Sequence, residues 1–302
     1  PAGTYTQMRL VLADNKVTPF ANSVVLSDSK NEEELKTPSG QQSGVKMNVN
    51  ITVEPDKVAD FVIDFDACKS IVTAGNSGTY LLKPVVTGYV VLSDAGQRII
   101  GYIDLATMGG ATKVSVQQGG AVVKATPPDA TGKFVLYPVP PGTYDLVIVS
   151  AGKATTVMTG VPVVTTGYTF IGDETIRIGL VDSASNDAAG KVTRGVSTVD
   201  TAATVRAVQT LYNGPTVEIS SMPVDAVTGE YGFTLPIGSP RVGAYLAGNP
   251  LSLVLNPDST DPNLTAAGKY ALQAFIPGQT DQIANISLLT GDTVQDFTFT
   301  AP

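Results

Sequence analysis

Apolar and polar residues alternate with a period of two through most of this chain. The pattern runs through YTQMRLVL (5–12), VKMNVNITV (45–53), KVSVQQ (113–118), YDLVIV (144–149) and QDFTFT (295–300). Such alternation sends one set of side chains into a core and the other to solvent, which is the signature of a half-buried strand. Clusters drawn from 30 Gly and 20 Pro interrupt it at short intervals, as in antiparallel sandwiches. A helical stripe is scarce. The best candidate is EPDKVADFV (54–62), where Glu54, Pro55 and Asp56 suit a first turn, although the segment also reads as a loop leading into the strand DFVIDF. The expected fold class is all-β: tandem antiparallel β-sandwich domains with little helix.

A chain of 302 residues is long for one core and points to two or three domains. The expected division is 1–90, an N-terminal β domain; 91–175, a β-sandwich; and 176–302, a second, looser sandwich with a surface-loop insertion near 239–265. The formal charge of −8 disfavours nucleic acid or an anionic membrane, both of which need clustered Lys and Arg. No run of apolar residues is long enough for a transmembrane helix. Residue 1 already lies in a turn motif, so no signal peptide is read there; a mature, processed product would begin this way, as would a fragment. With no His, the chain lacks the usual neutral-pH general base and the commonest ligand for zinc or copper. The lone Cys68 can form no internal disulfide and has no His partner for thiolate chemistry. No enzyme and no cofactor are expected.

One phrase occurs twice. PPGTYDLVIV (140–149) follows a well-formed strand, KFVLYPV, whereas PAGTYTQMRLVL opens the chain. A longer unit also repeats. DATGKFVLYPVPPG (129–142) is echoed by DAVTGEYGFTLPIG (225–238), and TAATVRAVQT (201–210) matches KVSVQQ; AAGKYALQAFIPG (266–278) supplies another Gly-x-Tyr strand. Asp129, Thr131 and Gly132 suit a hairpin turn in which Gly adopts positive φ, and Tyr144 packs where the next strand enters the core.

The residues DATGKF followed by PVPPGTY resemble the carboxypeptidase-regulatory-like, transthyretin-like sandwich family, over 100–172 closely and 190–302 loosely. That resemblance implies an Ig- or transthyretin-like sandwich and a structural or binding role. TPSGQQSGVKM (37–47), FVIDFDACKS (61–70) and YLLKPVV (80–86) resemble an uncharacterised family of bacterial secreted or lipid-anchored surface domains. Members of that family carry further strands before the PAGTY phrase, so the resemblance implies a first domain short of strands.

A sandwich short of strands exposes an edge that pairs with extended segments, and head-to-tail pairing of that kind builds fibres. The candidate strand residues are Val294, Phe297 and Phe299 near the C-terminus and Tyr5, Met8 and Leu10 near the N-terminus. The expected function is an extracellular or cell-surface structural protein, a self-assembling filament or matrix subunit whose partner is another copy. The alternative is a monomeric adhesive or carbohydrate- or protein-binding module, which calls for an aromatic platform from residues such as Tyr89, Tyr102 and Tyr137. Weak cation candidates are Asp60, Asp64 and Asp66, set opposite Phe61, Ile63 and Phe65, and the loop residues Asp258 and Asp261. Lys46, Lys69, Lys83 and Lys113 are the strand lysines available for the isopeptide cross-links known in pilus sandwiches. The sequons at Asn50, Asn263 and Asn285 are attributed to chance.

Overall fold

The computed structural model describes residues 3–300 except 16–18, 27–29, 39–43, 54–59, 92–96, 196–197, 200–202 and 248–253. It gives the backbone alone at 50, 60–61, 68, 76, 87–91 and 198–199. Nearly all regular structure is strand. The first group comprises β1 (Gly3–Leu10), β2 (Ser23–Val25), β3 (Glu32–Lys36), β4 (Val45–Val53) and β5 (Asp60–Phe65). It continues with a one-turn helix α1 (Ala67–Ser70), β6 (Ile71–Thr73), β7 (Tyr80–Leu82) and β8 (Val86–Val91). These form a sheet in the order β2-β3-β7-β6 and two ribbons, β1–β4 and β5–β8. Most of the candidate helix at 54–62 lies outside the described residues, and from Asp60 the chain is strand.

The second group is β9 (Arg98–Tyr102), β10 (Lys113–Gln118), β11 (Ala121–Thr126), β12 (Lys133–Leu136), β13 (Gly142–Val149), β14 (Thr156–Val163) and β15 (Tyr168–Ile171). The third begins with β16 (Ser185–Arg194), β17 (Thr198–Val199), β18 (Thr204–Thr210), β19 (Thr216–Pro223), β20 (Glu230–Pro236), β21 (Arg241–Ala244) and β22 (Asn256–Pro257). It ends with β23 (Lys269–Phe275), β24 (Gln282–Ser287), β25 (Thr293–Val294) and β26 (Phe297–Phe299).

The sequence repeat is also a repeat of topology. Sheet β12-β9-β15 corresponds to β20-β16 with β25 and β26, and β11-β10-β13-β14 corresponds to β19-β18-β23-β24. The register fixes the equivalence. Phe134 pairs with Gly101, and Tyr231 pairs with Gly190. In each case an aromatic side chain lies over a glycine that has no Cβ to obstruct it: a Cβ on Gly101 would sit 2.2 Å from the Phe134 ring, and one on Gly190 would sit 3.0 Å from the Tyr231 hydroxyl. The turns match too. Asp129 accepts from the Thr131 amide at 2.8 Å and Asp225 from the Val227 amide at 2.8 Å.

Two cores follow from this layering. Ile99, Phe134, Leu136, Leu146, Ile148 and Val161 belong to one; Ala188, Val205, Tyr231, Phe233, Leu272 and Phe297 belong to the other. Val147 and Val157, on β13 and β14, join the second core. The strand β13 is therefore apolar on both faces, because its sheet is packed on both sides.

Two expectations are revised. The insertion near 239–265 is not wholly loop: β21 pairs in parallel with β14, and β22 pairs with β21. The edge of β14 supplies the reason, since Arg241 and Tyr245 donate their amides to Thr155 and Thr159 carbonyls, both at 2.8 Å. The C-terminal strand, considered as a donor to another molecule, closes its own sheet. β26 runs parallel beside β16 as β15 does beside β9, and Phe297 and Phe299 are 3% and 2% exposed. Donation would require both rings to leave a filled core. Val294, by contrast, is exposed.

Candidate strand-docking edge

The Gly-Thr-Tyr phrase can be followed through the three groups. On β13, Gly142, Thr143 and Tyr144 face Val163, Pro162 and Val161 of β14, and a bulge follows between Tyr144 and Leu146. On β1, Gly3, Thr4 and Tyr5 face Val53, Thr52 and Ile51 of β4, and a bulge follows between Tyr5 and Gln7. The β1–β4 ribbon therefore reproduces β13–β14 down to the irregularity. The neighbours on the other side differ. β13 also pairs with β10, and the Gly-x-Tyr strand β23 lies between β18 and β24. Among the described residues β1 has one strand neighbour, β4.

The bulge explains which β1 side chains turn inward. Strict alternation would separate Tyr5 from Met8, but the register shift puts both on one face, opposite Ile51 and Met47. There they pack against a small cluster of Met47, Val49 and Ile51. Leu10 is 42% exposed. The ribbon β5–β8 runs counter to the expected phase. Ile63 and Phe65 are 41% and 45% exposed, whereas Asp64 is half-buried, because its carboxylate meets the Lys124 ammonium of β11 at 2.8 Å. An apolar strip, Ile63, Phe65 and neighbouring Val85, thus faces outward.

This first unit is held against the others by polar contacts. The Lys69 ammonium lies 2.8 Å from Glu218, whose side chain is 5% exposed and also faces the Arg206 guanidinium at 3.6 Å. The Glu218 backbone is fixed by Gln117, which accepts from its amide at 2.7 Å and donates to its carbonyl at 2.8 Å. Asp225 accepts from the Thr73 hydroxyl at 3.0 Å and the Gly75 amide at 2.8 Å. Burial alone would raise its pKa, but hydrogen bonds from the Thr228, Val227 and Gly75 amides and the Thr73 hydroxyl hold it down at about 2.

The remaining sequence candidates have structural partners. Asp66 caps α1 by accepting from the Lys69 amide at 3.1 Å. Asp258 accepts from Ser239, Ser259, Thr265, Ala266 and Tyr212, which ties the ends of the insertion together. Burial opposes its ionisation, yet these donors keep its pKa below the usual carboxylate value. Asp261 holds a turn through the Asn263 amide at 2.8 Å. Among the described residues no group of three or more acidic, Cys or His side chains gathers as a metal site. Lys83 reaches the Ala203 carbonyl at 3.5 Å, Lys46 lies opposite Arg9 on the ribbon, and Lys113 opposite Val149 on β13. The Cys68, Asp60, Phe61, Tyr89 and Asn50 side chains lie outside the described residues. Tyr102 and Tyr137 share the outer face of sheet β12-β9-β15 with Arg98 and Tyr168. Sequence reading did not find Glu218 or Asp225 as contacts between units, since only the tertiary arrangement brings residues about 150 positions apart together.

Residues 1–84 match the sequence profile of a domain of unknown function (DUF4382). No curated protein matches the chain. Among solved structures, a mutant type II cohesin–X-dockerin complex from Acetivibrio cellulolyticus is 22% identical over 29% of this chain and 59% of its own, with TM-score 0.24. The Bacillus anthracis TIE protein is 10% identical over 99% of this chain and 51% of its own, TM-score 0.25. A putative adhesin from Bacteroides ovatus is 10% identical over 68% of this chain and 93% of its own, TM-score 0.23. The chain thus spans little more than half of the first two. Superpositions this loose say nothing about function.

Proposed function

We propose that this chain is a non-catalytic structural module of the cell surface, with units at 1–90, 91–175 and 176–302, that takes an extended strand of a second copy at the β1–β4 ribbon. One observation carries the reading. Among the described residues, the same Gly-x-Tyr strand has neighbours on both sides in two units and on one side in the first. An edge strand presents a row of backbone donors and acceptors suited to strand addition. The molecule uses that solution internally, where β21 adds to the edge of β14. The incoming strand would occupy the place that β10 holds beside β13, where Val114 and Val116 face the core. Because β26 is committed to its own sheet, the donated strand comes from elsewhere in the neighbouring copy. Repeated head-to-tail, such pairing gives a filament.

Sedimentation velocity over a wide concentration range, with negative-stain micrographs of the same samples, tests this. Association into extended polymers is the expected result. A chain that stays monomeric at the highest concentration, with no polymer on the grid, overturns it.

A further inference from the structure

Two equivalent sheets form the outer layers of the second and third units, and their solvent faces differ in chemistry. In the third unit the outward positions are Asp187, Ala189 and Lys191 on β16 and Glu230, Gly232 and Thr234 on β20. They form the small polar surface that a solvated sheet face ordinarily carries; Lys191 meets Glu230 at 3.1 Å, and Thr234 donates to Asp187 at 2.7 Å. The register places Arg98, Ile100 and Tyr102 at the first three of these positions, and Lys133, Val135 and Tyr137 at the others. Beside Ile100 stands Phe170 and beside Arg98 stands Tyr168, 50% and 43% exposed. The fold does not demand this surface, because its own repeat does without it.

The face is organised. The Arg98 guanidinium lies over the Tyr137 ring at 4.2 Å and the Tyr168 ring at 5.3 Å, while Tyr168 meets Phe170 edge-on at 6.3 Å. At the opposite end the Lys133 ammonium and Arg177 guanidinium approach the Tyr102 ring at 5.9 and 5.5 Å. Between the two ends runs the apolar row Val135, Ile100 and Phe170. Arg98 and Tyr102 stand four strand residues apart, so the cationic ends are separated by about 13 Å. Strands β9, β12 and β15 contain no Asp or Glu. The nearby carboxylates of Asp129 and Asp173 are tied into their own turns by Thr131 and Thr175.

We propose that this face binds an acidic polysaccharide of low charge density, with sugar rings lying on the aromatic and aliphatic row and carboxylates at its two cationic ends. Rings and aliphatic side chains suit the apolar faces of sugars, and Arg and Lys suit carboxylates. The net charge of −8 sets the density, since a dense polyanion would be repelled by the chain as a whole. A peptide strand would add at an edge, whereas these groups lie on the face. The inference does not depend on strand docking at β1.

The test is calorimetric titration of the full chain with a hyaluronan octasaccharide, its carboxyl-reduced form, heparin and a poly-glutamate peptide. Saturable binding of the octasaccharide is expected, several-fold weaker after carboxyl reduction. The double variant Tyr168→Ala/Phe170→Ala should lose about tenfold or more in affinity. Lys133→Gln on the same face should lose a few-fold and keeps the test open if the double variant misfolds. No saturable binding of the octasaccharide, undiminished binding by well-folded variants, or a preference for heparin or poly-glutamate each overturns the proposal.

Discussion

Glu218 is where the first unit is locked to the other two, and its removal has a calculable effect. At 2.8 Å and an effective dielectric of about 20, the attraction between Lys69 and Glu218 is about 6 kcal/mol before desolvation is counted. Desolvation cancels much of that. Stranding a buried ion by deleting its partner costs about 3–5 kcal/mol. Here the surviving cations, Lys69 and Arg206, are 20% and 25% exposed and can turn towards water. Glu218→Ala should therefore loosen the docked unit by about 2–3 kcal/mol, and the Lys69–Glu218 coupling from a double-mutant cycle with Lys69→Ala should be about 2 kcal/mol. Native-state hydrogen exchange at the amides of α1 and β6 reads this directly, because α1 must part from β19, and β6 from the turn at Asp225 and Ala226, for the unit to open. A coupling of 2 kcal/mol corresponds to about a 30-fold change in exchange rate. A coupling below about 0.5 kcal/mol would refute the reasoning and mark the contact as a surface ion pair.

Three further outcomes are expected. Asp225 has its pKa depressed to about 2, so its stabilisation is complete above the unfolded value near 3.8 and is lost as pH falls through 2. The shift corresponds to at most about 2.5 kcal/mol and, after solvent screening, about 1; Asp225→Asn should flatten the acid limb of stability for the first unit between pH 4 and 2, as followed by exchange at β6. Phe297→Ala should destabilise the third unit by about 3–5 kcal/mol, while Val294→Ser stays within about 0.5, as measured by thermal unfolding. Gly190→Ala would place a Cβ 1.8 Å from the Gln295 carbonyl and should cost about 3 kcal/mol in the same assay; wild-type stability would contradict the described path of the last strands.

The periodicity, the Asp-Thr-Gly turns and the Gly-x-Tyr strands were legible because each is a local rule: alternation, turn chemistry, and an aromatic ring over a glycine. The strands on either side of the insertion could be matched to their counterparts for the same reason. The phase of β5 was not legible. DFVIDF alternates equally well in either direction, and Lys124, far away in sequence, decides that Asp64 turns towards the protein while Phe65 turns out. Nor did the sequence show that β21 would add to β14, since a four-residue strand, RVGA, is too short for its alternation to mark the edge it will cover. The Tyr102 and Tyr137 face was only half visible. Tyr168 and Phe170 join it through the parallel pairing of β15 with β9, which no sequence spacing announces. The C-terminal strand misled as a donor candidate because a closing strand and a donated strand share the same alternation.

The most direct measurement is hydrogen exchange along β1, compared with β13 and β23, as protein concentration rises. In dilute solution β1 should exchange well before the two strands that have neighbours on both sides, and it should gain protection as copies associate. Protection of β1 equal to that of β13 at the lowest concentration, or exchange at β1 that never changes, would contradict the account.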